Sequence, residues 1–148
     1  MKFMKQILMS KLYGYIRDNN PDILMALQDE GKLTTYIDDK VSSMSTIIKQ
    51  WQEDDRPDYI IEEASLALLT EDLRPSKFHY LNNILEEEFE SKWLELNSNG
   101  LLRYEVINIV NACETVFQEV DFTEENEDDK QLRYATIGSI TNYFEQQV

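Results

Sequence analysis

Few side chains in this sequence offer catalytic or metal-binding chemistry, and their spacing writes no familiar mechanism. His79 is the single histidine. Any serine, cysteine or metal mechanism that relies on imidazole must use it. Phe78 and Tyr80 flank it on an amphipathic stretch, where a lone histidine reads as a packed or half-exposed residue. Cys113 is the single cysteine. A structural zinc site draws its ligands from several Cys and His residues, which this chain does not have. A reactive thiol needs cationic surroundings that lower its pKa, and the adjacent Glu114 acts the other way. Cys113 therefore reads as a small apolar core residue.

The acidic run Glu124-Glu125-Asn126-Glu127-Asp128-Asp129 suggests calcium, but an EF-hand loop turns on a central glycine and this run has none. It reads instead as a solvated loop in which Asp128 or Asp129 caps the helix that follows. Glu124, Glu125, Glu127, Asp128 and Asp129 are also the candidate partner-docking residues. A pair of carboxylates converging on a cleft would support a carboxylate-based metal-dependent enzyme, which is the rival reading. The four glycines are isolated, so no phosphate-cradling loop can be written. The expectation is a protein with no cofactor, no metal site and no enzymatic activity.

Charge narrows the partners. Lys and Arg number 14 against 29 Asp and Glu, a net charge of −15. A nucleic-acid binder carries a basic face that displaces counterions from phosphates, so direct binding to DNA or RNA is not expected. Anionic membranes are disfavoured for the same reason. The field attracts basic proteins. The N-terminal stretch from Met1 to Met9 is apolar in part, but Ser10, Lys11, Tyr13, Arg17 and Asp18 interrupt it before a secretory signal develops. No apolar run approaches the length of a membrane span. The expected compartment is the cytoplasm.

The elements that must position these residues read as helices. Low Gly and Pro counts, 4 and 3, leave few turns for a sheet protein. A first helix is expected from Phe3 to Asn19, and Pro21 opens a short second one bearing Ile23, Leu24 and Leu27 before Gly31. Thr34 is the expected cap of the next, whose seam is Ile37, Val41, Met44, Ile48 and Trp51. That seam suits either a buried core or a symmetric homodimer. The stretch from Asp58 to about Asp72 is apolar on more than one face, which predicts a central helix covered on two sides and a fold that Leu68→Asp would destroy.

Ser76 caps a further helix through Phe78, Leu81, Leu85, Phe89, Trp93 and Leu96, closed by Asn97-Ser98-Asn99-Gly100. Another spans about Tyr104 to Val120, and the last runs from about Lys130 to Gln147, with Leu132, Ile137, Ile140, Phe144 and Val148 on its apolar side. Tyr13, Tyr36, Tyr59, Tyr80, Tyr104, Tyr134 and Tyr143 flank the apolar stripes, positions that suit a core rim or a partner patch. The expected architecture is all-α: a single-domain bundle, residues 1–148, of about five or six helices.

Three stretches carry a family resemblance: Ala64-Ser65-Leu66-Ala67-Leu68-Leu69 with the following helix to Glu88-Phe89, Cys113-Glu114-Thr115-Val116-Phe117 before the acidic segment, and Ile137-Gly138-Ser139-Ile140. Together they resemble the Bacteroidetes domain-of-unknown-function family 1896 from about Tyr36 onward. The chain departs from that pattern at Glu71 and Asp72, where members carry glycine, and at Thr115, where they carry proline. The resemblance implies a helical fold and a mobile-element setting, and it transfers no functional residue. The function expected is that of a non-enzymatic interaction or regulatory protein that docks a basic partner.

Overall fold

Every regular element is helical in the computed structural model, which describes residues 2–147. The α-helices are α1 (Lys2–Asn19), α2 (Pro21–Asp29), α3 (Leu33–Ser42), α4 (Ser45–Glu53), α5 (Asp58–Leu69), α6 (Lys77–Glu88), α7 (Glu90–Ser98), α8 (Leu102–Ala112), α9 (Glu114–Val120) and α10 (Lys130–Glu145). A 3-10 turn, Glu71–Leu73, follows α5. Met1 and Val148 lie outside the described residues. The all-α expectation holds, but the count of five or six helices is too low.

Most of the excess has a local cause. Three of the expected long helices are each cut once, at residues that are neither Gly nor Pro. At Ser43–Met44 the Ser43 hydroxyl donates to the Lys40 carbonyl at 2.6 Å, and the Met44 amide bonds Val41 rather than Lys40. A serine that competes for its own helix carbonyls in this way bends the helix. At Phe89 the backbone leaves helical values, with φ −132° and ψ 47°. At Cys113 the amide is shared between the carbonyls of Ile109 (2.9 Å) and Val110 (3.3 Å), the bifurcated pattern of a tightening last turn.

Several ends follow local chemistry. Pro21 sits in the first turn of α2. Gly31 and Gly100 take φ of +69° and +73°, the left-handed conformation in which glycine alone pays no steric cost. Ser76 caps α6, its hydroxyl accepting the His79 amide at 3.0 Å. Thr34 does not cap α3. That helix begins at Leu33, two residues earlier than a Thr34 cap would put it, after Lys32 and with no side-chain cap.

By packing, the chain divides into two compact units, Met1–Leu73 and Arg74–Val148. In the first, Leu8, Leu12 and Ile16 of α1 pack with Ile37, Val41, Met44, Ile48, Ile61, Leu69 and Leu73. The seam through Ile37, Val41, Met44 and Ile48 is thus buried core, and Trp51 packs against it. Of the two uses the seam suits, the packing shows the buried core, its side chains being covered within the unit. The expectation for α5 is also corrected. Ile61, Ser65 and Leu69 face inward at a spacing of four, but Leu68 is 44% exposed. Helix α5 is therefore buried on one face, and Leu68 is not at its core.

In the second unit, Leu81, Ile84 and Leu85 of α6 meet Val106, Ile109 and Val110 of α8, with Cys113, Phe117 and Ile140 completing the core. Helix α6 ends in Glu86-Glu87-Glu88, carboxylates at the end of a helix where its dipole disfavours them. Arg133 of α10 offsets this, holding Glu87 at 2.7 Å and Glu88 at 3.0 Å. The bond to Glu88 raises the Arg133 pKa further above its ordinary value.

Candidate partner-docking surface

The acidic segment between α9 and α10 has a fixed backbone. Helix α9 ends at Asp121, which takes the left-handed conformation with φ 50° and ψ 70°. The next residue, Phe122, turns inward. Its ring lies 4.9 Å from both the Tyr80 and Phe117 rings, and Lys77 sits over the far partner, 5.2 Å from the Phe117 centroid. This aromatic cluster anchors the start of the loop.

Asn126 sets the rest. Its side-chain oxygen accepts from the Thr123 amide at 2.7 Å, and its side-chain nitrogen donates to the carbonyls of Val120 (3.0 Å) and Asp121 (3.1 Å). One neutral amide thus satisfies three backbone groups that no helix reaches. Asp129 closes the loop as the cap of α10, its Oδ2 accepting the Leu132 amide at 2.9 Å.

The candidate residues therefore divide. Asp129 is committed to the helix it caps. Glu124 lies 3.8 Å from Arg74, an exposed pair of small worth. Glu125 and Asp128 are exposed and Glu127 half-buried. These three make no ion pair among the described residues. The Asn126 bonds hold the stretch of backbone that carries them.

The other chemistry-bearing residues are placed elsewhere. Cys113 is fully buried at the α8–α9 break, and burial pushes its thiol up to about 11. His79 is exposed in the first turn of α6, its ring edge-on to Phe78, beside a shallow groove of about 360 Å³ that Asn82, Asn97 and Arg103 also line. Among the described residues no group of three or more His, Cys, Asp and Glu side chains is arranged to hold a metal ion. No described helix is long and apolar enough to cross a membrane.

Sequence reasoning found the charge of the loop but missed Phe122 and Asn126, which shape it. The signal was an apolar ring and an uncharged amide set inside an otherwise acidic run. Comparison with family models, with curated proteins and with solved structures gave no match.

Proposed function

We propose that this is a non-enzymatic interaction or regulatory protein that docks a basic partner protein through the loop between α9 and α10. The observation that carries the reading is the Asn126 clamp: its three hydrogen bonds fix the backbone that presents Glu125, Glu127 and Asp128. A charged loop that is ordered before binding loses less conformational entropy on association. The net charge of −15 adds a long-range field that speeds encounter with cations.

The test is capture from the native cell with two baits, the wild-type protein and the triple variant Glu125→Lys, Glu127→Lys, Asp128→Lys. These substitutions leave the Asn126 clamp and the Asp129 cap in place. Basic proteins recovered by the wild type should be lost from the variant. The association rate of a recovered partner should fall steeply between about 50 and 300 mM salt, because exposed charges are screened within about 10 Å in that range. The same proteins captured by both baits, with no salt dependence, would place the docking surface elsewhere. Thermal stabilisation by micromolar Mg²⁺, Mn²⁺ or Zn²⁺ would favour the carboxylate-based enzyme instead.

A further inference from the structure

We propose that the open groove between α7 and the last turns of α10 receives an apolar anchor side chain from a basic amphipathic helix of the partner. This rests on the basic-partner reading above and adds a second point of contact. The groove encloses about 420 Å³ and is lined by Phe89, Lys92, Thr141, Phe144 and Glu145. Its floor is aromatic. The Phe89 and Phe144 rings lie 5.8 Å apart and tilted, each half-buried, so apolar surface remains in contact with water. Such partly covered aromatic surface in a concave site is what anchor residues of interfaces occupy.

The form of the groove favours a helix. Two helices form its walls and it is open to solvent, as in grooves that take the apolar stripe of an amphipathic helix. The break at Phe89 borders it. There the backbone leaves helical geometry, and α7 starts again at Glu90 with Lys92 lining the groove beside Phe89.

Charge selects the sign of the partner. Among the described lining residues Lys92 is the one cation, and it is already engaged, 5.5 Å from the Phe144 centroid and 3.8 Å from Glu95. Glu145 lines the groove, and the exposed Glu90 follows Phe89 in the chain, whereas Glu88 on the other side of Phe89 is already held by Arg133. The surroundings are net negative, so a helix with lysine or arginine beside its apolar stripe is complementary and an acidic helix is repelled.

The test uses three synthetic peptides, observed by amide chemical shifts of the intact protein. One has leucines at helical spacing with lysines elsewhere. The second replaces the leucines by glycine and keeps the charge. The third replaces the lysines by glutamate. The leucine–lysine peptide should bind saturably and shift the amides of Phe89, Lys92, Thr141 and Phe144. The other two should bind at least about tenfold more weakly. Thr141→Lys, which fills the groove from the half-exposed face of α10, should weaken the first peptide about tenfold while leaving the melt unchanged. Phe144→Ala should weaken the peptide likewise but also lower the melt, because Phe144 packs against the core of the second unit.

Equal binding of the glycine–lysine peptide, with shifts confined to residues 121–129, would overturn the groove and leave the loop reading intact. Groove binding that the triple loop reversal leaves unaltered would uphold the groove and count against the loop. Equal binding of the glutamate peptide would overturn the groove's preference for a basic partner.

Discussion

The side-chain amide of Asn20, 3% exposed, donates to the backbone carbonyl of Leu73 at 3.1 Å. The bond ties the α1–α2 turn to the 3-10 turn that closes the first unit. Its acceptor is a backbone group beside the core, so the donor is not replaceable by water without opening the structure. Asn20→Ala should destabilise the protein by about 1–3 kcal/mol. Asn20→Asp should cost more, because a carboxylate cannot donate and carries a charge into the interior. Urea unfolding measures both, as a lower midpoint.

Leu68 and Ile61 separate the two faces of α5. Leu68 is 44% exposed and Ile61 fully buried. Leu68→Asp should retain a cooperative melt, with a loss of about 1 kcal/mol or less. Ile61→Asp should abolish it, since an unpaired buried carboxylate costs several kcal/mol against a typical total of about 5–15. Circular dichroism melts of the two variants decide the matter, and equal behaviour would contradict the described burial.

Asn126→Ala should loosen the acidic loop without unfolding the second unit. The Thr123 amide, now held at 2.7 Å, would exchange with solvent far faster, while amides of α8 would keep their protection. Hydrogen exchange read residue by residue shows this directly. Unchanged exchange at Thr123 would mean that the clamp is not what orders the loop.

Tyr143 carries a pH dependence of defined sign. Burial pushes its phenol up to about 12, and the 2.6 Å bond donated to Glu105 adds to the rise, because that bond needs the proton. The unfolded chain releases this proton near pH 10, before the folded chain does. The contribution to stability is therefore complete below about pH 10 and is lost as the pH climbs towards about 12. Ultraviolet titration should show a late phenolate that disappears in Tyr143→Phe, and the variant should lose less stability across that alkaline window.

Cys113 should react with thiol reagents only through opening of the α8–α9 break. Its side chain is fully buried and its thiol is held at about 11, so little thiolate is present near neutral pH. Labelling should be slow in buffer and accelerate in parallel with unfolding as denaturant is added. Rapid labelling in buffer would refute the burial.

Features decided within a turn of chain were legible in the sequence. Ser76 and Asp129 as caps, Pro21 as a start, and Gly31 and Gly100 as stops all follow from side-chain chemistry at one position. The three breaks were not legible. Ser43, Phe89 and Cys113 sit inside apolar stripes whose periodicity runs through them, and what ends each helix is a competing or shared hydrogen bond or a local dihedral. Leu68 was misjudged for another reason. Periodicity tells which residues share a face, not whether that face has a neighbour. The candidate site was legible as charge alone, since the bonds of Asn126 go to backbone atoms, which carry no residue signature.

The buried cluster of the first unit draws on residues from Met4 to Leu73. A ribosome delivers the chain in that same order, so the residues of this cluster are all synthesised before those of the second core. Its closure need not wait for the second core, and nascent apolar stripes such as Ile37 to Ile48 are shielded early from chaperones and from other nascent chains.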